Sequence, residues 1–326
     1  MRGVGLAVIL AVLVVGCDRG TEAGGAPAEF RVAMILPGSD TDKGWNQMAR
    51  EGLDRIRTEL SADAKIVTSV KSSEFGSQIG YFADEGYDLI ICHGGEFKSA
   101  VESAAKRYPK TRFIVGGCDE AIAGATPVEF LARDASYLVG VVAADVSKSR
   151  QAAFVGAMPF KPVRACYDGM RDGIAAAGNG VKLMEPQWTN SWDSPTLAKE
   201  RTELVIGQGA DVIYQNVDAA ARGVFDAVAE AAARGKPAYA FGCNSNQNDL
   251  APDVILGSVV LDIQRAYLDL ARQAKEGKLA AESVKLGLRG GYVDLVLNDR
   301  HAAITDVVRS KVAEARQRLL TQEAGR

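Results

Sequence analysis

From residue 30 onward, short unbroken apolar runs alternate with longer stretches in which apolar positions recur every three or four residues. Phe30–Leu36 reads as a strand. Asn46–Leu60 reads as a helix, with Met48, Leu53 and Ile56 on one face. Strands around Lys65–Val70, Asp88–Cys92 and Arg112–Val115 follow, with helical stretches at Gly76–Glu85 and Lys98–Tyr108 between them. A strand at Pro127–Arg133 leads into the apolar helix Ala135–Ser147.

The alternation then restarts. Ala152–Ala157, Lys182–Trp188, Asp211–Gln215 and Ala238–Gly242 read as strands, and Pro162–Ala177, Leu197–Gln208 and Ala219–Arg234 as helices. Ile255–Val260 and a helix to about Lys275 precede a strand-like region near Val284–Leu297 and a charged terminal helix from about Asp306. Continuous apolar strands separated by helices of this length predict parallel sheets covered on both faces. Two such units and a returning tail make the expected fold class α/β, with two doubly wound parallel-sheet lobes joined by a multi-strand hinge. The expected division is residues 30–133 plus about 259–285 for the N-terminal lobe, and 134–258 plus about 286–326 for the C-terminal lobe.

The amino terminus has a different pattern. Arg2 is followed by a nearly unbroken run of Gly, Ala, Val, Ile and Leu from Val4 to Val15, and then by Gly16-Cys17. About a dozen residues is too short for a spanning helix and fits the apolar region of a secretory leader. Val14-Val15-Gly16-Cys17 resembles the lipobox of bacterial lipoproteins. That resemblance implies loss of residues 1–16, a diacylated Cys17 and a flexible linker over 17–29. Asp18 resembles the signal for retention at the periplasmic face of the inner membrane. The expected membrane attachment is through the lipid alone.

Composition narrows the function. Hydrophobic residues make up 47% and charged residues 24% of the chain, as in ordinary globular proteins. A net charge of -3 offers no basic field for nucleic acid. Besides Cys17 there are four cysteines, at 92, 118, 166 and 243, with no CxxC pair and only two histidines, so no metal cluster is expected. The cysteines lie in or beside buried-looking strands or helices, where small buried thiols are the plain expectation; disulfides remain open on spacing alone.

In open α/β sheets ligands sit outside the carboxyl ends of the strands, so the loops after strands hold the candidate chemistry. The first, residues 37–47, carries Asp42 and sets Trp45 and Asn46 at a helix start: a flat stacking surface with an amide beside it. The second, His93-Gly94-Gly95-Glu96-Phe97, allows close backbone approach at its glycines but has no Walker lysine or GxGxxG spacing. His93 has no nucleophile in a recognisable frame with it. The third, residues 188–195, holds two more tryptophans, and Trp192 can close against Trp45 on a planar ligand with Asn190 at its edge. The fourth and fifth contain Asn216, Asp218 and Asn244, short polar side chains that can meet a ligand or cap the next helix.

Several of these segments together resemble the basic membrane protein (BMP, PnrA-like) lipoproteins, the substrate-binding proteins of nucleoside ABC importers. The segments are Asp42-Lys43-Gly44-Trp45-Asn46-Gln47 with Glu51-Gly52-Leu53, His93-Gly94-Gly95-Glu96-Phe97, Ala135-Ser136-Tyr137-Leu138-Val139-Gly140, Trp188-Thr189-Asn190-Ser191-Trp192, and the stretch from Gly242 to Pro252. The resemblance implies a type I periplasmic-binding fold, a purine stacked between aromatics at Trp45 and Trp192, and an ABC permease and ATPase as partners. It also marks departures. Pro37-Gly38 replaces an aspartate, Asn244 stands where the family's ribose-gripping Asp is expected, Leu261 stands in place of a Lys, and Asn216-Val217-Asp218-Ala219-Ala220 replaces a glycine-rich turn. These substitutions favour a bare purine base or another small flat solute over a nucleoside.

The expected protein is a monomeric receptor without cofactor. An alternative is a binding module that reports ligand to a membrane sensor. An enzyme such as a nucleoside hydrolase would need a carboxylate cluster or metal site, and the first loop offers only Asp40 and Asp42.

Overall fold

The computed structural model describes residues 29–42 and 44–323. The leader, Cys17 and the linker up to residue 28 lie outside the described residues. The first unit runs β1 (Arg31–Ile35), α1 (Trp45–Glu59), β2 (Asp63–Val67), α2 (Phe75–Asp84), β3 (Leu89–His93), α3 (Lys98–Arg107), β4 (Arg112–Gly116) and β5 (Thr126–Phe130). The chain then enters α4 (Ala132–Val146), β6 (Gln151–Gly156), α5 (Lys161–Ala177), β7 (Lys182–Leu183), β8 (Gln187–Trp188), α6 (Pro195–Gly207), β9 (Val212–Asn216), α7 (Ala221–Ala233), β10 (Tyr239–Gly242) and β11 (Ile255–Leu261). It closes with α8 (Ile263–Lys275), β12 (Val284–Leu286), β13 (Val293–Leu297) and α9 (Asp306–Glu323).

One sheet has the order β12-β5-β4-β3-β1-β2, and its pairs are parallel throughout. The other runs β13-β11-β10-β9-β6-β7, with β8 also on β6 and only β13 antiparallel. Both place a strand-order reversal in the middle, between β1 and β3 in one sheet and between β6 and β9 in the other. The loops leaving those strands diverge to opposite faces and open a crevice.

Burial explains the strand pattern. All five residues of β3 and all five of β9 are buried, as expected of strands covered on both faces. Val32, Met34, Leu89 and Ile91 face a core shared with α1 and α8, while Ala33, Ile35, Ile90 and Cys92 face α2 and α3. In the second lobe α4 and α5 meet through glycines. A methyl at Gly140, Gly169 or Gly173 would overlap backbone of the opposing helix.

The chain passes between lobes three times: between β5 and α4, between β11 and α8, and between β12 and β13. Val284–Leu297, read as one strand-like region, is two strands in different sheets, because residues 287–292 are a crossing of the hinge. Lys182–Trp188 likewise divides into β7 and β8, both parallel to β6, with Pro186 in the break. The strand read as Lys65–Val70 begins earlier, at Asp63, where Phe30 O accepts the Asp63 N–H at 3.0 Å. The four cysteines of the described residues are buried and unpaired.

Candidate functional site

The start of α1 carries the aromatic part of the site. A helix leaves its first N–H groups without intrahelical partners. Here these belong to Gly44, Trp45, Asn46 and Gln47, because Met48 N–H is the first to reach back, to Gly44 O at 3.1 Å. The Asp42 carboxylate accepts three of the four, from Gly44 (2.9 Å), Asn46 (3.0 Å) and Gln47 (3.0 Å), and the Asn46 Nδ2 amide at 2.8 Å as well. Asp42 is therefore an N-terminal cap that fixes how α1 begins. The fourth N–H, that of Trp45, faces the Asp218 carboxyl of the other lobe and favours its charged form. Asn46 Oδ1 is buried without a hydrogen-bond partner.

His93, at the carboxyl end of β3, lies directly behind the indole. The two rings stack at 4.1 Å between centroids and 22° between planes. His93 Nε2 donates to the Trp45 carbonyl at 3.0 Å, which makes Nδ1 the acceptor of the Tyr267 hydroxyl from α8. Burial pushes the His93 imidazole down to about 3, against the smaller opposing effects of the Trp45 carbonyl and Asp42. It is thus neutral at physiological pH and serves as a platform. Gly116 and Gly117 complete the support. A side chain at Gly116 would collide with the Tyr267 hydroxyl, and a Cβ at Gly117 would lie 2.9 Å from Trp45 Cζ2. Gly117 also has φ +71, open to glycine at no steric cost. Trp45 remains partly exposed.

The second lobe contributes a turn that touches both tryptophans. Asp218 faces the Trp45 backbone, and two residues on, Ala220 N–H donates to the Trp192 carbonyl at 3.0 Å. Trp192 is partly buried and tilted by 40° against Phe160, whose ring is 58% exposed. Asn244 Nδ2 donates to Asp218 Oδ1 at 2.7 Å. Enclosure raises the Asp218 carboxyl to about 6; the Asn244 amide and the Trp45 N–H oppose this, while Asp42 adds to it. Asn190, Asp218 and Asn244 all adopt left-handed backbone, with φ of 55°, 47° and 68°. Asn and Asp tolerate this conformation better than other residues that carry a side chain.

Trp45, Asn46, Trp192, Asp218 and Asn244 thus converge at the crevice, and Asn190 is exposed on the Trp192 loop. Others take supporting places. Phe97 is fully buried and stacks on Phe75 at 3.7 Å in the first lobe's outer core. Gly94 turns the chain under Glu96. Asn216 is buried with its Nδ2 on the Cys166 sulfur at 3.6 Å. Beneath the second lobe's loops, Gln247 Oε1 accepts from Gln215 Nε2 at 2.8 Å and from Cys243 N–H at 3.1 Å. Sequence reading missed Tyr267, Gly117 and this glutamine brace. A glycine pair at the end of β4, Gly116-Gly117, resembling the pair just after β3, is the signal that could have marked Gly117. A cavity of about 290 Å³ opens at the hinge beside Met48, Asn246, Leu261 and Tyr292, and neither Trp45 nor Trp192 lines it.

Comparison with known proteins agrees with this architecture. The family model described as "ABC transporter substrate-binding protein PnrA-like" matches residues 30–322. The nucleoside-binding protein BmpA of an ABC transporter in Lactococcus lactis is 24% identical over 93% of this chain and 92% of its own length. The transcriptional activator protein med of Bacillus subtilis is 25% identical, with 81% of each chain covered. A crystal structure of ABC transporter solute-binding proteins from Aeropyrum pernix K1 superposes with a TM-score of 0.80 at 25% identity, covering 90% of this chain and 92% of that one. The fold is that of type I periplasmic binding proteins, and among the described residues no helix is long and apolar enough to cross a membrane. The family consists of extracytoplasmic substrate-binding proteins rather than enzymes, which implies a small-molecule ligand with a permease and ATPase as partners. This chain belongs to the Bmp family of PnrA-like ABC transporter substrate-binding proteins.

Proposed function

We propose that this protein is a lipid-anchored, monomeric receptor at the periplasmic face of the inner membrane that captures a purine base or nucleoside-like planar solute between its lobes for an ABC permease. One observation carries the reading. A single turn, Asp218–Ala220, meets the backbones of both Trp45 and Trp192, so a tryptophan from each lobe is anchored at the same end of the crevice. Trp45 is backed by a neutral imidazole and pinned at its carbonyl, so little ordering remains to be done when a flat ligand stacks on it. Stacking of this kind is worth about 1–3 kcal/mol per base face. Edge hydrogen bonds would come from Asn46, Asn190, Asp218 and Asn244.

The acidic group missing at position 244 is supplied next door, since the Asp218 carboxylate lies 2.7 Å from the Asn244 amide. This widens the reading from a bare base to a nucleoside, the ligand class in the name of the Lactococcus lactis relative. A thermal-shift series of purine bases, purine nucleosides, pyrimidines and sugars, followed by calorimetry on the hits, tests it. The expected hits are purines, and a sugar-only response would end the planar-ligand reading. For the anchor, Cys17→Ser is expected to move the protein from the membrane fraction to the soluble periplasm; unchanged membrane attachment would argue against lipidation there.

A further inference from the structure

The four N–H groups that open α1 are not all satisfied within their own lobe. Asp42 takes three, and the one it leaves, on Trp45, is met from across the crevice by Asp218. The approach is close: a Cβ at Gly44 would stand 3.0 Å from Asp218 Oδ1. Asp218 is delivered by a left-handed backbone, φ 47°, and steadied by Asn244 at 2.7 Å. Away from the hinge, another polar bridge between lobes among the described residues is the ion pair of Lys161 with Asp119, whose lysine side chain is 79% exposed, so the pair is weak and salt-screened. We propose that Asp218 is a clasp, a second-lobe carboxylate that closes on the N-terminus of the first lobe's α1 and sets the balance between open and closed forms.

The proposal rests on the two-lobed closing receptor described above but not on the identity of its ligand. In the closed form Asp218 faces Asp42 from the first lobe, the Asn244 amide and Cys243 thiol from the end of β10, and the Trp45 N–H, with His93 behind the indole. Among the described residues, no cation is one of these groups. Asp42 disfavours a second negative charge, and enclosure holds the Asp218 carboxyl at about 6. When the lobes part, water reaches the carboxyl and it returns to its ordinary range near 4.

The sign follows from linkage. The closed form binds the proton more tightly than the open form, so acid favours closure, and the gain is lost as pH rises through about 6. Between pH 7.5 and pH 5.0 the closed-to-open ratio should rise roughly ten-fold. His93, held near 3, stays neutral over that window.

The experiment uses the mature, ligand-free chain with one donor and one acceptor dye on opposite lobes. Interlobe energy transfer is read at pH 7.5 and 5.0, with circular dichroism confirming the fold of each variant. Wild type should move towards the closed distance on acidification. Asp218→Asn should remove the pH response, Asp218→Ala should shift the population open at both pH values, and Gly44→Ala should do the same from the opposite lobe. An undiminished pH response in D218N would overturn the clasp, as would an unchanged population in D218A; with D218A unfolded, D218N and G44A decide. Since no ligand is present, failure here leaves the purine reading standing, and failure of the ligand screen leaves the clasp standing.

Discussion

The two halves of the crevice occupy equivalent places at the carboxyl ends of parallel strands, yet they meet the same backbone demand differently. After β3 and β4 the first lobe turns its chain with Gly94 and Gly117, at φ 148° and 71°. After β8, β9 and β10 the second lobe uses Asn190, Asp218 and Asn244 at φ 55°, 47° and 68°. Glycine lets backbone press against Trp45, so the first half is a packed aromatic platform. Asn and Asp accept the left-handed conformation at a small cost and keep a hydrogen-bonding side chain. The second half is therefore a polar edge. Platform and edge are what a flat solute with donors and acceptors on its rim requires.

The comparison is most sharply tested by acid, because the two halves titrate in opposite senses. His93 is depressed to about 3 by burial, so the folded first lobe prefers it neutral. Its contribution is complete above pH 6.5 and is lost as pH falls towards 3. At pH 5.0 the loss should be about 2 kcal/mol, growing at lower pH. Denaturant unfolding of wild type and His93→Gln at pH 7.0 and 5.0 would measure it. The variant should be less stable at pH 7.0 but lose about 2 kcal/mol less than wild type on acidification. Equal losses would mean that His93 is not the buried neutral support of the indole.

Next in size is the platform itself. Trp45→Ala should weaken binding of a purine ligand by about 1–3 kcal/mol, roughly 5- to 150-fold, with Trp192→Ala in the same range. Both proteins should keep their fold, because both rings are only partly buried. If calorimetry found W192A indistinguishable from wild type, the platform would be one-sided and the second lobe would act through its polar edge alone.

The alternation of apolar runs and amphipathic stretches made the two α/β units and most strands legible, because doubly covered strands are apolar throughout. The hinge was harder to read. β12 and β13 together have too few residues to show a period, and nothing local in residues 284–297 says that the chain changes sheets there. The aromatic and polar loop residues were legible because a tryptophan between Gly44 and Asn46 has no helical face to serve. Their partners were not. Tyr267 reaches His93 from 174 positions away, and Phe97 looked like a loop residue although its ring belongs to the α2–α3 core. Asp218 was legible as a polar strand-end residue, but its reach to Trp45 N–H depends on how the lobes are set against each other.

Exchanging the two solutions to the left-handed turn separates the halves again, and the smallest effect falls on the second lobe. Gly117→Asn keeps a residue that accepts positive φ, so backbone preference changes little; but its Cβ would stand 2.9 Å from Trp45 Cζ2. The indole or the β4 loop must shift, at a cost of about 1–3 kcal/mol. Asn190→Gly is the reverse exchange. Asn190 is exposed, and its N–H bonds to Ala157 O at 2.9 Å irrespective of side chain, so stability should stay within about 0.5 kcal/mol of wild type. If G117N unfolded at the wild-type midpoint, the glycine would not be needed for close approach to the indole. If N190G lost stability instead, the side chain would be bracing its own loop and would not be free to meet a ligand's edge.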